Sequence, residues 1–289
     1  MKYIEDFLEY LYVIKKHSDH TINSYKLDLI EFLEFSEDTL LDIDKDLVNN
    51  YMQYLYDKNV SKTTVSRRLS SLRSFYNYLC KNDIVDKNYF SNIKNPKPDK
   101  SLPRLVKEVD VEKMFSIPDL RTPLGQRNLL IVRMLYSTGV RVSELINIKI
   151  SSINLSDRTI RVLGKGDKER IVVFGNNTKS VLELYLNSGR YKLTKENNEF
   201  LFLNKDGNRL SDRYVRKILD DIIIKASMQI HVSPHMLRHT FATGMLNNGA
   251  DLVSVKELLG HESLNTTSIY THVSDDKIRE IYNKAHPRA

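Results

Sequence analysis

"RTIRVLGKGDKERIVVF", residues 158–174, is the one stretch in this chain with the clear two-residue period of a strand. Thr159, Arg161 and Leu163 alternate with Ile160 and Val162, and Gly164-Lys165-Gly166-Asp167 supplies a turn, so the stretch reads as a β-hairpin. The Gly-x-Gly within it is explained by turn geometry. No Gly-x-x-x-x-Gly-Lys-Ser/Thr run exists anywhere to make a nucleotide-phosphate loop. Helical spacing dominates on both sides, so the expected fold is mainly α with a small antiparallel β-sheet.

Toward the N-terminus, "QRNLLIVRMLYSTG" (126–139) is an apolar helix closed by Gly139. Before it, "NPKPDKSLPR" (95–104) carries three prolines in ten residues, which predicts an extended linker. The reading therefore divides the chain into a helical domain at 1–94, a Pro/Lys-rich linker at 95–106 and a mixed domain at 107–289. The first domain shows Ile4, Phe7, Leu8 and Leu11, then Tyr25, Leu29, Phe32 and Leu33, at helical spacing, with a third helix in "LVNNYMQYLYDK". Its longest helix opens at Ser61 or Thr63 as N-cap and buries Val65, Leu69, Leu72, Phe75, Tyr76 and Leu79. Toward the C-terminus, "EFLFLNKDGNRL" predicts another short strand and turn. "SDRYVRKILDDIIIKAS", "PHMLRHTFATGMLNNG", "DLVSVKELLG" and "DDKIREIYNKA" predict helices.

The lone cysteine, Cys80, rules out a disulfide within the chain. Acids in "MKYIEDFLEYLY" interrupt what a signal peptide would need, and no run approaches the roughly 18 apolar residues of a membrane span. The expectation is a cytoplasmic protein with no membrane partner. Net charge is +7, but its distribution says more. Residues 1–60 hold 13 acids and 6 bases, whereas residues 61–104 hold 10 bases and 3 acids. The basic block, with Lys62, Arg67, Arg68 and Arg73 on one helix, is either a solvated face or a surface that steers a phosphate backbone.

Five of the eight histidines fall between 231 and 272. His235 and His239 share a helix face, but Met236 stands where a metallohydrolase needs glutamate and no cysteine ligand is near, so no metal or other cofactor is expected. Phosphoryl transfer without metal needs fixed cations, a nucleophile and an acid for the leaving oxygen. His235 and Arg238, three apart on one helix, can reach the same phosphate. Arg141 sits near a helix start, Lys165 at the hairpin tip, and Tyr270, in the polar stretch "GHESLNTTSIYTHV", is the candidate nucleophile.

"TGVRVSEL", "VLGKGDKERIV", "SPHMLRHTFAT" and "LLGHESLNTTSIYTHV", in this order, resemble the tyrosine site-specific recombinases of the phage-integrase type. Within that family the likeness is greatest to the bacterial XerC/XerD group, and "NNGADL" leans toward the XerD branch. The resemblance runs over essentially the whole chain. It implies a catalytic set of Arg141, Lys165, His235, Arg238, His261 and Tyr270, with Glu144 supporting it. It also implies a SAM-like core-binding domain at 1–94 and a catalytic domain at 107–289 that together clamp duplex DNA. The implied reaction is a transesterification in which Tyr270 attacks a phosphodiester, leaving a 3′-phosphotyrosyl link and a free 5′-hydroxyl. Arg141, Arg238 and His261 would hold the non-bridging oxygens, Lys165 would protonate the 5′-oxygen, and His235 would help take the phenolic proton. The implied setting is chromosome-dimer resolution at a terminus site by a homo- or hetero-tetramer on two DNA sites, with a second related recombinase and a DNA translocase as activator. A phage or transposon integrase is the alternative, disfavoured because the first helix starts by about Tyr3 with no added arm-binding segment. A relaxing topoisomerase is disfavoured by the recombinase-like first domain, and a catalytically inactive DNA-binding regulator by the intact site.

Overall fold

The computed structural model describes residues 1–37, 39–97, 104–164, 169–195, 198–260 and 275–288, without the side chains of 275–277. The chain divides into two compact units, Met1–Ser101 and Leu102–Ala289. It is mainly helical, with one three-stranded antiparallel sheet among the described residues.

The first unit consists of α1 (Lys2–Val13), α2 (Asp19–Phe35), α3 (Lys45–Asp57) and α4 (Lys62–Lys81). Short polar side chains start three of them. Ser18 accepts from the Thr21 amide, Asp44 from Leu47 and Ser61 from Thr64, each satisfying a helix-end donor. Their apolar stripes meet in an aromatic core, where Phe32 lies edge-on to Tyr51, Tyr76 and Phe90 at 4.9, 6.3 and 5.4 Å between centroids.

At the α2–α4 interface the segregated charge of the sequence is brought together. Asp28 is buried, and its Oδ2 accepts from Arg67 Nη1 at 2.5 Å and from Ser71 Oγ at 2.8 Å. Arg68 forks onto both oxygens of Glu31 at 2.6 Å. Arg73 donates to the carbonyls of Phe90 and Ile93. Arg67 keeps 44% of its side chain exposed, whereas Arg68 keeps 14%. The arginines thus do not simply project outward from α4; they tie it to α2 and to the chain at 90–93. We expect Asp28→Ala to weaken the unit by about 2–3 kcal/mol, because a buried charged acceptor serving two donors is lost. Hydrogen exchange should rise across α2 and α4 and stay unchanged in the second unit; uniform protection would mean the cluster is ornamental.

The second unit runs α5 (Glu108–Ser116), α6 (Pro123–Thr138), α7 (Val142–Ile146), a 3₁₀ turn (Ile150–Ser152), β1 (Ile153–Asn154), β2 (Thr159–Leu163) and β3 (Glu169–Val173). It continues with α8 (Asn176–Leu184), a π-helical turn (Tyr185–Arg190), α9 (Tyr191–Leu193), α10 (Asp212–Lys225), α11 (Pro234–Asn247), α12 (Leu252–Leu259) and α13 (Asp275–Ala285). α6 is buried on nearly all sides and forms the axis of the core. The hairpin pairs antiparallel with Ile160 opposite Val172 and Val162 opposite Arg170, so these four share a face. Ile160, Val162 and Val172 on that face are buried in the core. The turn residues 165–168 lie outside the described residues.

One expected strand does not form. "EFLFLNKDGNRL" makes only isolated bridges, Lys149 with Phe200 and Leu203 with Arg209, around a turn through Gly207. Its partner positions lie in the turn after α7 and within its own loop, so no ladder extends. At the C-terminus Tyr282 is fully buried and His286 stacks on it at 4.7 Å. Burial pushes the His286 imidazole down to about 4, so it packs as a neutral ring. Arg288 is ion-paired with Glu108 and Glu112 of α5. No described helix is long and apolar enough to cross a membrane.

Candidate active site

α6 and α12 both end in a left-handed glycine, Gly139 at φ 59° and Gly260 at φ 63°. Helix C-termini leave carbonyl oxygens unpaired and carry partial negative charge, which draws cations. Arg238, from the second turn of α11, fits both ends: its Nη1 donates to Gly139 O and its Nη2 to Leu259 O, each at 2.5 Å. A side chain at 139 would strike Phe241 and Leu259, so the close approach of α6, α11 and α12 requires glycine there.

Two residues after Gly139, Arg141 is the N-cap of α7 and Glu144 stands three residues further on. Glu144 turns back onto the N-cap residue: its Oε2 accepts from the Arg141 amide and its Oε1 from Arg141 Nη1, both at 2.8 Å. Arg141 Nη2 reaches Gly260 O at 3.2 Å. Glu144 is buried, and its Oε2 also accepts from Arg170 Nη2 at 2.7 Å. Two guanidinium groups therefore share one carboxylate, and Arg238 stands near enough to feel the charges of all three. Burial, then the charges of Arg141 and Arg170, push Arg238 down to about 10, with Glu144 opposing; it stays charged at neutral pH. Burial likewise lowers Arg170.

The structure thus brings together Arg141, Glu144 and Arg238 from the sequence reading. His235 lies exposed in the first turn of α11, one turn before buried Arg238, where the helix starts on Ser233 and Pro234. Lys165, His261 and Tyr270 lie outside the described residues. Of the four basic residues read on α4, Lys62 is exposed and the arginines are engaged as above. Among the described residues no group of three or more His, Cys, Asp or Glu side chains could hold a metal. Arg141 and Glu144 open onto a groove of about 1360 Å³ along the outer face of the hairpin, where Lys149, Arg161 and Ile171 also lie.

Arg170 was missed by the sequence reading. The signal was available, because pairing the hairpin about its turn puts Arg170 opposite Val162, a cation on the inward face of a strand. Such a residue needs a buried partner.

What the arrangement offers chemically is an anion site with excess positive charge. The family described as "Phage integrase family" matches residues 104–277, and "Phage integrase, N-terminal SAM-like domain" matches residues 4–83. Tyrosine recombinase XerC of Oceanobacillus iheyensis is 45% identical over 294 residues, covering 99% of this chain and 96% of that protein. Tyrosine recombinase XerC of Bacillus pumilus is 43% identical over 291 residues, covering 98% and 95%. Among solved structures, the XerH site-specific recombinase bound to palindromic difH substrate, a post-cleavage complex, is 30% identical with a TM-score of 0.69, covering 90% of this chain and 78% of that one. Both sequence relatives bear the XerC name, which overturns the leaning toward XerD drawn from "NNGADL". With the integrase family matching more than half its length and relatives above 40% identity matching nearly all of it, the chain belongs to the phage integrase family and is a tyrosine recombinase.

Proposed function

We propose that this recombinase cuts and rejoins duplex DNA through a 3′-phosphotyrosyl intermediate on Tyr270, and that it resolves chromosome dimers at a terminus site in the cytoplasm. The observation that carries the reading is the Arg141–Glu144–Arg238 cluster, where a half-buried and a buried guanidinium outnumber the acid and so favour a phosphate. Arg141 and Arg238 hold the non-bridging oxygens, and His261 adds a hydrogen bond. Tyr270 attacks phosphorus, the bond to the 5′-oxygen breaks, and Lys165 delivers the proton that oxygen needs. His235 takes the phenolic proton. One phosphoester replaces another, so the bond energy is kept for rejoining.

The first unit acts as the core-binding module, with Lys62 and the exposed part of Arg67 toward the DNA backbone and Arg68 and Arg73 serving the fold. The partners are a second related recombinase, in a tetramer on two sites, and a DNA translocase as activator. Support for site-specific recombination comes from the XerC names of the relatives and from the XerH site-specific recombinase bound to its difH substrate.

The test is incubation with nicked duplexes carrying candidate terminus sites, followed by a search for covalent protein–DNA complexes on denaturing gels. Complex on terminus-type duplexes and none on scrambled ones is the expected result. Binding without any covalent complex would favour a DNA-binding regulator. Cleavage confined to mobile-element ends would favour an integrase.

A further inference from the structure

We infer that Arg170 is a positioning residue for strand cleavage: it sets the Arg141–Glu144 pair against the scissile phosphate and holds Gly260, where the chain enters the segment bearing His261 and Tyr270. The inference rests on the recombinase reading above and names a residue outside the expected catalytic set.

Three observations carry it. The first is the sharing of Glu144. A buried carboxylate paired with one arginine neutralises it, and little charge remains for a ligand. Here Oε2 is divided between the Arg141 amide and Arg170 Nη2, while Oε1 takes Arg141 Nη1. With two cations on one acid, Arg141 keeps positive character to offer a phosphate, and the carboxylate cannot rotate because each oxygen is held. The second is steric. Arg170 lies so close to Gly260 that a Cβ there would sit 2.7 Å from its Nε and 2.8 Å from its Cδ. Gly260 O also accepts from Arg141 Nη2, so one arginine bonds this residue and the other crowds it, from different elements. The third is an imbalance. Arg170 Nε and Nη1 are buried with no hydrogen-bond partner among the described residues. Unsatisfied buried donors are destabilising, so two of the guanidinium's three nitrogens sit here at a cost that packing alone does not require. An arginine kept on the inward face of β3 at that cost has work beyond packing.

Arg170 touches neither Tyr270 nor the phosphate in this scheme; it acts through Arg141 and Gly260. Losing it should therefore leave duplex binding nearly unchanged and slow cleavage by about 10²-fold, the effect of a misplacement near 1 Å. The discriminating measurement compares the ordinary scissile phosphate with a methylphosphonate, which lacks the negative charge that Arg141 serves. We expect Arg170→Met to fold, to bind the nicked duplex as wild type does, and to lose most of its cleavage deficit on the methylphosphonate, as Arg141→Ala should. Arg170→Lys, which restores the charge without the fork, should recover only part of the rate on the ordinary phosphate. Wild-type cleavage by Arg170→Met, or an equal deficit on both substrates, overturns the inference and leaves Arg170 a packing residue. Should Arg170→Met not fold, Arg170→Lys is read on the same two substrates with the same overturning results. If the wild-type chain forms no covalent complex on either substrate, the recombinase reading falls and takes this inference with it.

Discussion

Tyr270→Phe is expected to form no covalent protein–DNA complex on a nicked terminus-type duplex while binding that duplex almost as the wild type does. The substitution removes one oxygen atom and no cation. The phenol, with an ordinary pKa of about 10, is the proposed nucleophile, and phenylalanine offers no atom to bond phosphorus. Affinity should survive because it comes from phosphate contacts across the duplex, which the phenol does not make. Denaturing gels read the covalent product and a mobility shift reads binding. A covalent complex persisting in this variant would remove Tyr270 from the nucleophile's role and send the search to other side chains of the segment.

Lys165→Ala should slow cleavage by about 10²–10⁴-fold, the usual worth of a general acid. The 5′-oxygen departs as an alkoxide unless it is protonated, and an alkoxide is a poor leaving group. A sulfur in the 5′-bridging position leaves without a proton, so that substrate should restore most of the rate to Lys165→Ala. Arg141→Ala should gain little from the same substrate, because its deficit is unbalanced charge on the non-bridging oxygens. Equal rescue in both variants, or none in either, would assign Lys165 an electrostatic role only.

How much of this was legible beforehand follows from the range of each interaction. The helix α6 ending on Gly139, the Ser61 cap of α4 and the hairpin at 159–173 depend on residues a few positions apart, and their patterns can be read directly. Arg141 was read from its place near a helix start, and Glu144, three residues on, came with the family resemblance. Arg238 was read for its spacing from His235, yet what holds it are carbonyls 99 and 21 residues away. The same limit misled the charge reading. Asp28 and Glu31 sit 39 and 37 residues before Arg67 and Arg68, so a linear count separates acids from bases that packing brings together. Arg170 needed one further step, laying the two strands in register and asking which face each residue takes. β1 is two residues long and α7 five, too short for any period to show. The strand expected at 199–210 failed for a different reason, since its apolar residues are buried individually rather than paired along a ladder.

The arginine cluster around Glu144 also bears on how this protein would evolve under a changed demand. Holding Arg238 charged, when its surroundings have drawn it down to about 10, places on the order of 3 kcal/mol of opposition within the folded state. That is a large share of the margin by which ordinary domains stay folded. A neutral side chain of similar size at 238 would relieve that opposition but leave Gly139 O and Leu259 O without their donors. Selection for heat resistance alone would therefore weigh that relief against two unpaired carbonyls, and either way a change at 238 would remove a cation from the proposed phosphate site.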